Sequence, residues 1–178
     1  MRIIAGILKG RRLDAPDWSG LRPTSDRLRE TLFNVLAPRI DGARFLDAYA
    51  GTGAVGIEAL SRGAAHATFV EQDRRAQGLI QANLDRCGVE NRYAIIRAEF
   101  TGAAMRSAGG FDVLFLDPPY GAAALSEALE TAAPLVGSGA LLVVEHAKRD
   151  GAPSQVSGLE LTRDLVQGDS VLSFYTHV

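Results

Sequence analysis

Val113-Leu114-Phe115-Leu116-Asp117-Pro118-Pro119-Tyr120 carries both an architecture and a chemistry. Four apolar residues in succession, without alternation, read as a strand buried on both faces, the pattern of a parallel sheet. Pro118 and Pro119 cannot donate to a sheet ladder, so the strand stops there. A carboxylate, a rigid kink and an aromatic ring therefore stand at the carboxyl end of a central strand, the edge where open α/β sheets bind ligands. The Asp117 carboxylate and the Pro118 carbonyl can accept hydrogen bonds from an amino group, and the Tyr120 face can stack on a base. The tetrapeptide points to chemistry on an exocyclic amine of a nucleobase.

Outward from this stretch, apolar runs at 44–49, 67–71, 93–97, 112–117 and 140–145 alternate with helical segments near 54–62, 73–87, 100–107 and 122–136. Successive βα units predict a mostly parallel sheet with helices on both faces. Runs at 159–166 and 170–177 are joined only by Gln167-Gly168-Asp169, too short for a crossover, so they predict an antiparallel C-terminal hairpin. The total is seven strands.

Residues 1–40 read as a small extension packed on a 41–178 main domain. Segments 3–8 and 11–14 flank Lys9-Gly10 as a short hairpin, and a helix capped by Thr24 or Ser25 runs to Pro38 with Leu28, Leu32, Val35 and Leu36 on one face. This segment carries eight Lys/Arg against four Asp/Glu, a charge of +4 within a chain of net −2, which leaves −6 for the rest. A basic face on an acidic body suits a polyanion. Arg11, Arg12, Arg22, Arg27 and Arg29 are the candidates for it, and the loop around Pro23-Thr24 is expected to lie over the ligand site.

Gly51, Gly53 and Gly56 satisfy G-x-G-x-x-G between a strand and a helix, with Glu71 ending the next strand 20 residues after Gly51. That fits a dinucleotide site. Against it stand Asp47, an acid where such folds keep an apolar residue, and the lack of a hydride-transfer site or a second domain. S-adenosylmethionine (AdoMet) fits better. Asp47 accepts from its ammonium, the backbone of Gly51, Thr52 and Gly53 approaches it closely, Glu71 chelates its ribose hydroxyls, and Glu99 accepts from its adenine amino group.

Composition sets the outer limits. With 47% apolar and 22% charged residues the chain is globular, and no run approaches the ~20 apolar residues of a membrane span. A single cysteine, Cys87, permits no internal disulfide, which fits a cytoplasmic protein. His66, His146 and His177 lack metal-ligand spacing, so no metal is expected.

Phe45-Leu46-Asp47-Ala48-Tyr49-Ala50-Gly51-Thr52-Gly53 together with Asp117-Pro118-Pro119-Tyr120 resembles the class I AdoMet-dependent amino-methyltransferases. More narrowly, residues 22–34 (Arg-Pro-Thr-Ser-Asp-Arg-Leu-Arg-Glu-Thr-Leu-Phe-Asn), 2–6 and 56–64 resemble the signatures of the RsmD family. The resemblance implies a Rossmann-like methyltransferase fold and methylation of N2 of one guanine in 16S ribosomal RNA, near the decoding region, with S-adenosylhomocysteine as product. It further implies a monomer acting on 16S rRNA or a 30S particle. Asp117, Pro118 and Tyr120 would be catalytic, and Pro119, Thr24 and the arginines would face the RNA. Thr52 stands where the family more often has serine, and Glu99 where aspartate is usual. An N6-adenine DNA methyltransferase, which shares the aspartate-proline motif, and a non-catalytic RNA-binding assembly factor are the alternatives.

Overall fold

The computed structural model describes residues 1–21 and 23–178, so the expectation for Arg22 lies outside the described residues. Five strands alternate with helices in the order expected: β1 (Arg44–Ala48), α2 (Ala54–Ser61), β2 (His66–Val70), α3 (Arg74–Cys87), β3 (Tyr93–Ile96), α4 (Gly102–Met105), β4 (Phe111–Leu116), α5 (Ala122–Ala132) and β5 (Val136–Ala147). Helix α1 (Asp26–Ile40) precedes them, and β6 (Gln155–Val156), β7 (Leu159–Gln167) and β8 (Ser170–His177) follow.

The sheet runs β3-β2-β1-β4-β5-β8-β7-β6. The first five strands are mutually parallel, and β8 and β7 add antiparallel to the β5 edge. The chain is thus an α/β Rossmann-like fold with a C-terminal antiparallel hairpin. The connections reverse direction between β1 and β4, and at such a switch point the two diverging βα loops leave a crevice.

Alternation along the central strands divides the core between two faces. Phe45, Phe115 and Val143 meet Phe33 of α1 and Val55 of α2, while Leu46, Leu114 and Leu142 meet Met105 of α4 and Leu125 and Leu129 of α5. Ile80 and Leu84 of α3 close on Phe69, beside Ile3 and Leu13 from the N-terminal segment. Each such apolar side chain contributes about 1.5–3 kcal/mol when fully buried.

The sheet has eight strands where seven were expected. The added strand, β6, is a two-residue pairing of Gln155 and Val156 with Glu160 and Leu159, too short to show a period. The N-terminal hairpin shrinks to one bridge, Arg2 with Arg12. Ile3, Gly10 and Leu13 still donate across the two arms, but the amides that would extend the ladder are drawn away: Ile4 and Ala5 donate to Glu58 of α2 at 2.8 and 3.0 Å, and Leu8 donates to Ser61 at 2.9 Å. Helix α1 begins as expected, with Ser25 capping the Leu28 amide at 3.2 Å. It passes through Pro38 to Ile40, because the proline lies at the exposed end of the last turn and the buried Ile40 side chain holds that turn down. Helix α5 ends earlier than 136, where Pro134 converts its last turn to a 3₁₀ turn.

Candidate active site

A cleft of about 540 Å³ opens over the carboxyl ends of the strands at the switch point. Several segments wall it. They include the glycine loop after β1, Glu71 to Arg75 after β2, Asp117 to Tyr120 after β4, Glu145 near the end of β5, and the strap residues Trp18 to Leu21 and Pro23 to Ser25. The volume falls in the usual range for small-molecule and cofactor sites.

The glycine loop is shaped by its backbone. Gly51 and Gly53 take φ of 56° and 76°, the left-handed region that favours glycine, and Tyr49 is forced to 61° just before them. A residue other than glycine held there carries strain typical of ligand sites. Its ring is fixed edge-on against Phe100, with centroids 5.5 Å apart. Burial, with Glu127 and Glu99 nearby, pushes the Tyr49 hydroxyl up to about 12, so it stays protonated.

Two carboxylates brace this loop. Glu71 accepts from the Gly51 amide at 2.9 Å and from the Asp73 amide at 2.8 Å, one bond to each oxygen. Asp47, only 1% exposed, accepts from the Gly56 amide at 2.8 Å. Burial drives its carboxyl from the ordinary 3.8 up to about 8, the Gly56 bond opposing and the Glu71 charge adding to the rise. A buried acid held that far from its ordinary value would be returned to its ionised form by a cation in the cleft. Gly56 has a different reason to lack a side chain: a Cβ there would stand 2.3 Å from the Phe69 ring. It allows α2 to pack closely on the sheet, as the third glycine of such loops does.

These features fit AdoMet. Its ammonium would meet an acid able to ionise for it, Glu71 would offer its ribose diol two oxygens, and the open backbone at 51–53 would permit close approach. Asp47, Gly51, Thr52 and Glu71 line the cleft, and Gly53 caps α2 directly behind it. Glu99 does not join them: it is an exposed residue of the loop after β3 and does not line the cleft.

On the substrate side, Thr24, Asp117, Pro118, Pro119 and Tyr120 line the same cleft. Pro118 is buried, Asp117 is partly buried, and the Tyr120 ring is 48% exposed at the rim. Arg11, Arg12 and Arg27 are exposed and lie outside the cleft.

Arg29 must be corrected. It is 0% exposed, donates from Nη2 to the Arg2 carbonyl at 2.7 Å and to Asp26 at 2.8 Å, and leaves Nε and Nη1 buried without hydrogen-bond partners. It pins the N-terminal segment to α1, where no phosphate can reach it. Periodicity already hinted at this, since Arg29 follows Leu28 and precedes Leu32 and Phe33 at the edge of the apolar face.

Two further residues belong to the cleft. Trp18 holds the strap over α3, with the Arg75 guanidinium 5.0 Å above its ring. Glu145, 6% exposed, carries a carboxylate into the cleft and accepts from Thr24 at 3.4 Å and Ser170 at 3.3 Å. Its signal was present, an acid ending an apolar strand as Asp47, Glu71 and Asp117 do. Among the described residues, no group of three or more His, Cys, Asp or Glu could hold a metal ion, and no helix is long and apolar enough to cross a membrane.

Residues 1–176 match the family model described as "Conserved hypothetical protein 95". The chain is 38% identical over 180 residues to ribosomal RNA small subunit methyltransferase D of Escherichia coli K12, covering 98% of this chain and 89% of that protein. It is 35% identical to the putative rRNA methyltransferase YlbH of Bacillus subtilis, covering 98% of each. Among solved structures, the putative methyltransferase yhhF of Escherichia coli superposes with a TM-score of 0.86 at 37% identity, over 99% of this chain and 97% of that one. A putative methylase from Haemophilus influenzae does so with a TM-score of 0.79 at 31% identity, over 99% and 98%. A putative methyltransferase solved with S-adenosylhomocysteine (SAH) shares the fold alone, at a TM-score of 0.66 and 14% identity over 83% of this chain and 49% of that one. With its family model matched from end to end and relatives of this similarity over nearly its whole length, the chain belongs to the RsmD family of methyltransferases.

Proposed function

We propose that the protein methylates the exocyclic N2 of a guanine in 16S ribosomal RNA, with AdoMet as donor and S-adenosylhomocysteine as product. One observation carries the reading: Asp117-Pro118-Pro119-Tyr120 opens into the same cleft as the Asp47 and Glu71 braces of the glycine loop. The names of the relatives, ribosomal RNA methyltransferases, support the choice of RNA.

When bound, AdoMet supplies an electrophilic methyl group on a sulfonium. The protein's task lies with the acceptor. The N2 lone pair of guanine is delocalised into the ring, which makes the amine a poor nucleophile. Hydrogen bonds from its two N–H groups to the Asp117 carboxylate and the Pro118 carbonyl favour a pyramidal nitrogen and free the lone pair. Holding that nitrogen in place supplies much of the rate. The surplus proton of the methylated nitrogen passes to Asp117 or to water. Tyr120 at the rim stacks on the base, which has to leave its own stack to enter. Thr24 and Pro119 border the base, while Arg11, Arg12 and Arg27 take the RNA backbone. Either 16S rRNA or the 30S particle is the partner, met by a monomer in the cytoplasm.

The test uses purified protein, labelled AdoMet and 30S particles or small-subunit rRNA lacking the modification. Label recovered as N2-methylguanine is the expected outcome. Label in adenine of duplex DNA, or none despite AdoMet binding, would replace the reading with a DNA methyltransferase or a non-catalytic assembly factor.

A further inference from the structure

Arg2 and Arg12 face each other in the bridge of the N-terminal segment. The Ile3 amide donates to the Arg11 carbonyl at 2.9 Å and the Leu13 amide to the Met1 carbonyl at 3.1 Å. The two arginines thus form the pair between these bonds, which exchanges none of its own. Pairs of that kind bring their Cα atoms to about 4.5 Å, the closest approach in an antiparallel ladder. Ile3 and Leu13 are buried, and alternation turns Arg2 and Arg12 to the opposite face, where both are exposed. Like charges set directly opposite destabilise such a pairing.

Both arginines line a groove of about 650 Å³, together with Arg86 of α3 and the acids Asp14 and Asp26. Neither acid answers them. Asp14 holds Arg86 at 2.8 Å, and Asp26 holds the buried Arg29 at 2.8 Å. Among the described residues, no carboxylate forms an ion pair with Arg2 or Arg12. Arg29 also donates to the Arg2 carbonyl, which fixes that backbone under the groove. The fold therefore holds two cations side by side and provides no anion between them.

A phosphate supplies that charge, with oxygens that match two guanidinium forks at once. The groove also adjoins the cleft. Its wall residue Asp26 follows directly on Ser25 of the strap. From the other side, the Asp14 amide donates to Asn83 Oδ1 at 2.7 Å, and Asn83 Nδ2 donates to the Thr52 carbonyl of the glycine loop at 3.0 Å. A nucleotide drawn out of its stack leaves neighbouring phosphates outside the cleft, and contacts to phosphates are what fix a strand's register.

We infer that Arg2 and Arg12 together clamp one phosphate of the RNA backbone, a docking point beside the cleft that positions the strand whose base is methylated. This rests on the RNA reading above, though not on which base is modified. It gives Arg12 a partner, Arg2, and makes the two act as one contact.

Filter binding of small-subunit rRNA over a range of salt concentrations tests the clamp. Arg2→Ala and Arg12→Ala should each lower the slope of log affinity against log salt by about 0.7–0.9, the equivalent of one phosphate. The double variant should lose no more than that, because either single change already releases the shared phosphate. Independent contacts would add, to about 1.4–1.8. AdoMet affinity by calorimetry should stay within a factor of about three throughout. Arg2→Gln keeps the stem of the side chain and should match Arg2→Ala, so a folding defect in one variant leaves the test intact. An unchanged slope in the Arg2 variants overturns the inference, as does a double variant whose losses add. A free phosphate ion as the occupant would show differently. Millimolar inorganic phosphate at constant ionic strength would then raise the melting temperature of the wild type but not of Arg2→Ala, with the same RNA slope in both, and that result also overturns it. A wild-type protein that binds no rRNA at all removes the RNA reading, and the inference with it.

Discussion

The Gly56 amide donates to Asp47 Oδ2 at 2.8 Å, so the third glycine of the loop and the acid before it hold each other across the first βα turn. The bond satisfies one N–H at the start of α2 and sets a carboxyl at the positive end of that helix. Even so, burial wins, and the carboxyl is pushed up to about 8. Burial therefore favours the neutral form of the Asp47 carboxyl, and a cation arriving in the cleft would favour its ionised form.

The pH dependence follows from that sign. The folded carboxyl titrates above its unfolded value, so its contribution to stability is complete below about pH 4 and is lost as the pH rises towards 8. In the cofactor-free protein, Asp47→Asn keeps an acceptor for Gly56 and should gain on the wild type by roughly 1–3 kcal/mol between pH 4 and pH 8. Melting curves across this range measure it. AdoMet affinity of the wild type should rise with pH up to about 8, by up to tenfold per pH unit, with release of about one proton. Calorimetry in two buffers of different ionisation enthalpy reads that proton. A flat affinity from pH 6 to pH 8 would show that Asp47 is already ionised in the empty site.

The arginines of the first 40 residues should divide by burial. Arg12→Ala and Arg27→Ala remove exposed charges and should each lower the slope of log affinity for rRNA against log salt by about 0.7–0.9. Arg29→Met removes a guanidinium that solvent does not reach, and should leave that slope unchanged while altering the melting temperature. Filter binding at several salt concentrations separates the two classes. A reduced slope in Arg29→Met would mean that the N-terminal segment opens when RNA binds.

That division also marks what the sequence could disclose. The parallel strands, the glycine loop and the carboxylates at strand ends were legible because local rules govern them: an unalternating apolar run, a positive φ, a proline that ends a ladder. Arg29 and the N-terminal hairpin were misread because non-local bonds decide them. Glu58, 29 residues further along the chain than Arg29, draws the amides of Ile4 and Ala5 out of a strand pairing. Glu145 was overlooked for another reason. Only the parallel pairing of β4 with β5 brings it to the cleft that Asp117 lines, and pairing across a crossover cannot be counted from sequence.

Glu58 should prove the anchor of the N-terminal segment. It is wholly buried, accepts from Ile4, Ala5 and Arg62, and offsets the cost of burying Arg29. Glu58→Ala strips the counter-charge from two guanidinium groups and the acceptor from two amides. Removing one partner of a buried pair typically costs about 3–5 kcal/mol. Urea unfolding should show that loss, and trypsin should cut near Arg11 and Arg12 well before the rest of the chain. A loss under about 1 kcal/mol would show that water replaces the carboxylate, the segment staying held by Arg29 on the Arg2 carbonyl, by Ser61 on the Leu8 amide and by Asn83 on the Asp14 amide.

Tyr120 offers the cleanest separation of base binding from cofactor binding. Its ring stands exposed at the rim of the cleft, whereas the braces of the glycine loop are Asp47 and Glu71, which belong to β1 and the end of β2. Base–aromatic stacking is worth about 1–3 kcal/mol, so Tyr120→Ala should lower kcat/KM for rRNA by roughly 10–100-fold. Tyr120→Phe keeps the face and should stay within a factor of about three of the wild type. Asp117→Ala, by contrast, should abolish transfer, because it removes the acceptor that reshapes the amine. Neither Tyr120→Ala nor Asp117→Ala should move AdoMet affinity, which calorimetry checks directly. If Tyr120→Phe lost as much activity as Tyr120→Ala, the hydroxyl rather than the ring would be the working part, and stacking would not be its role.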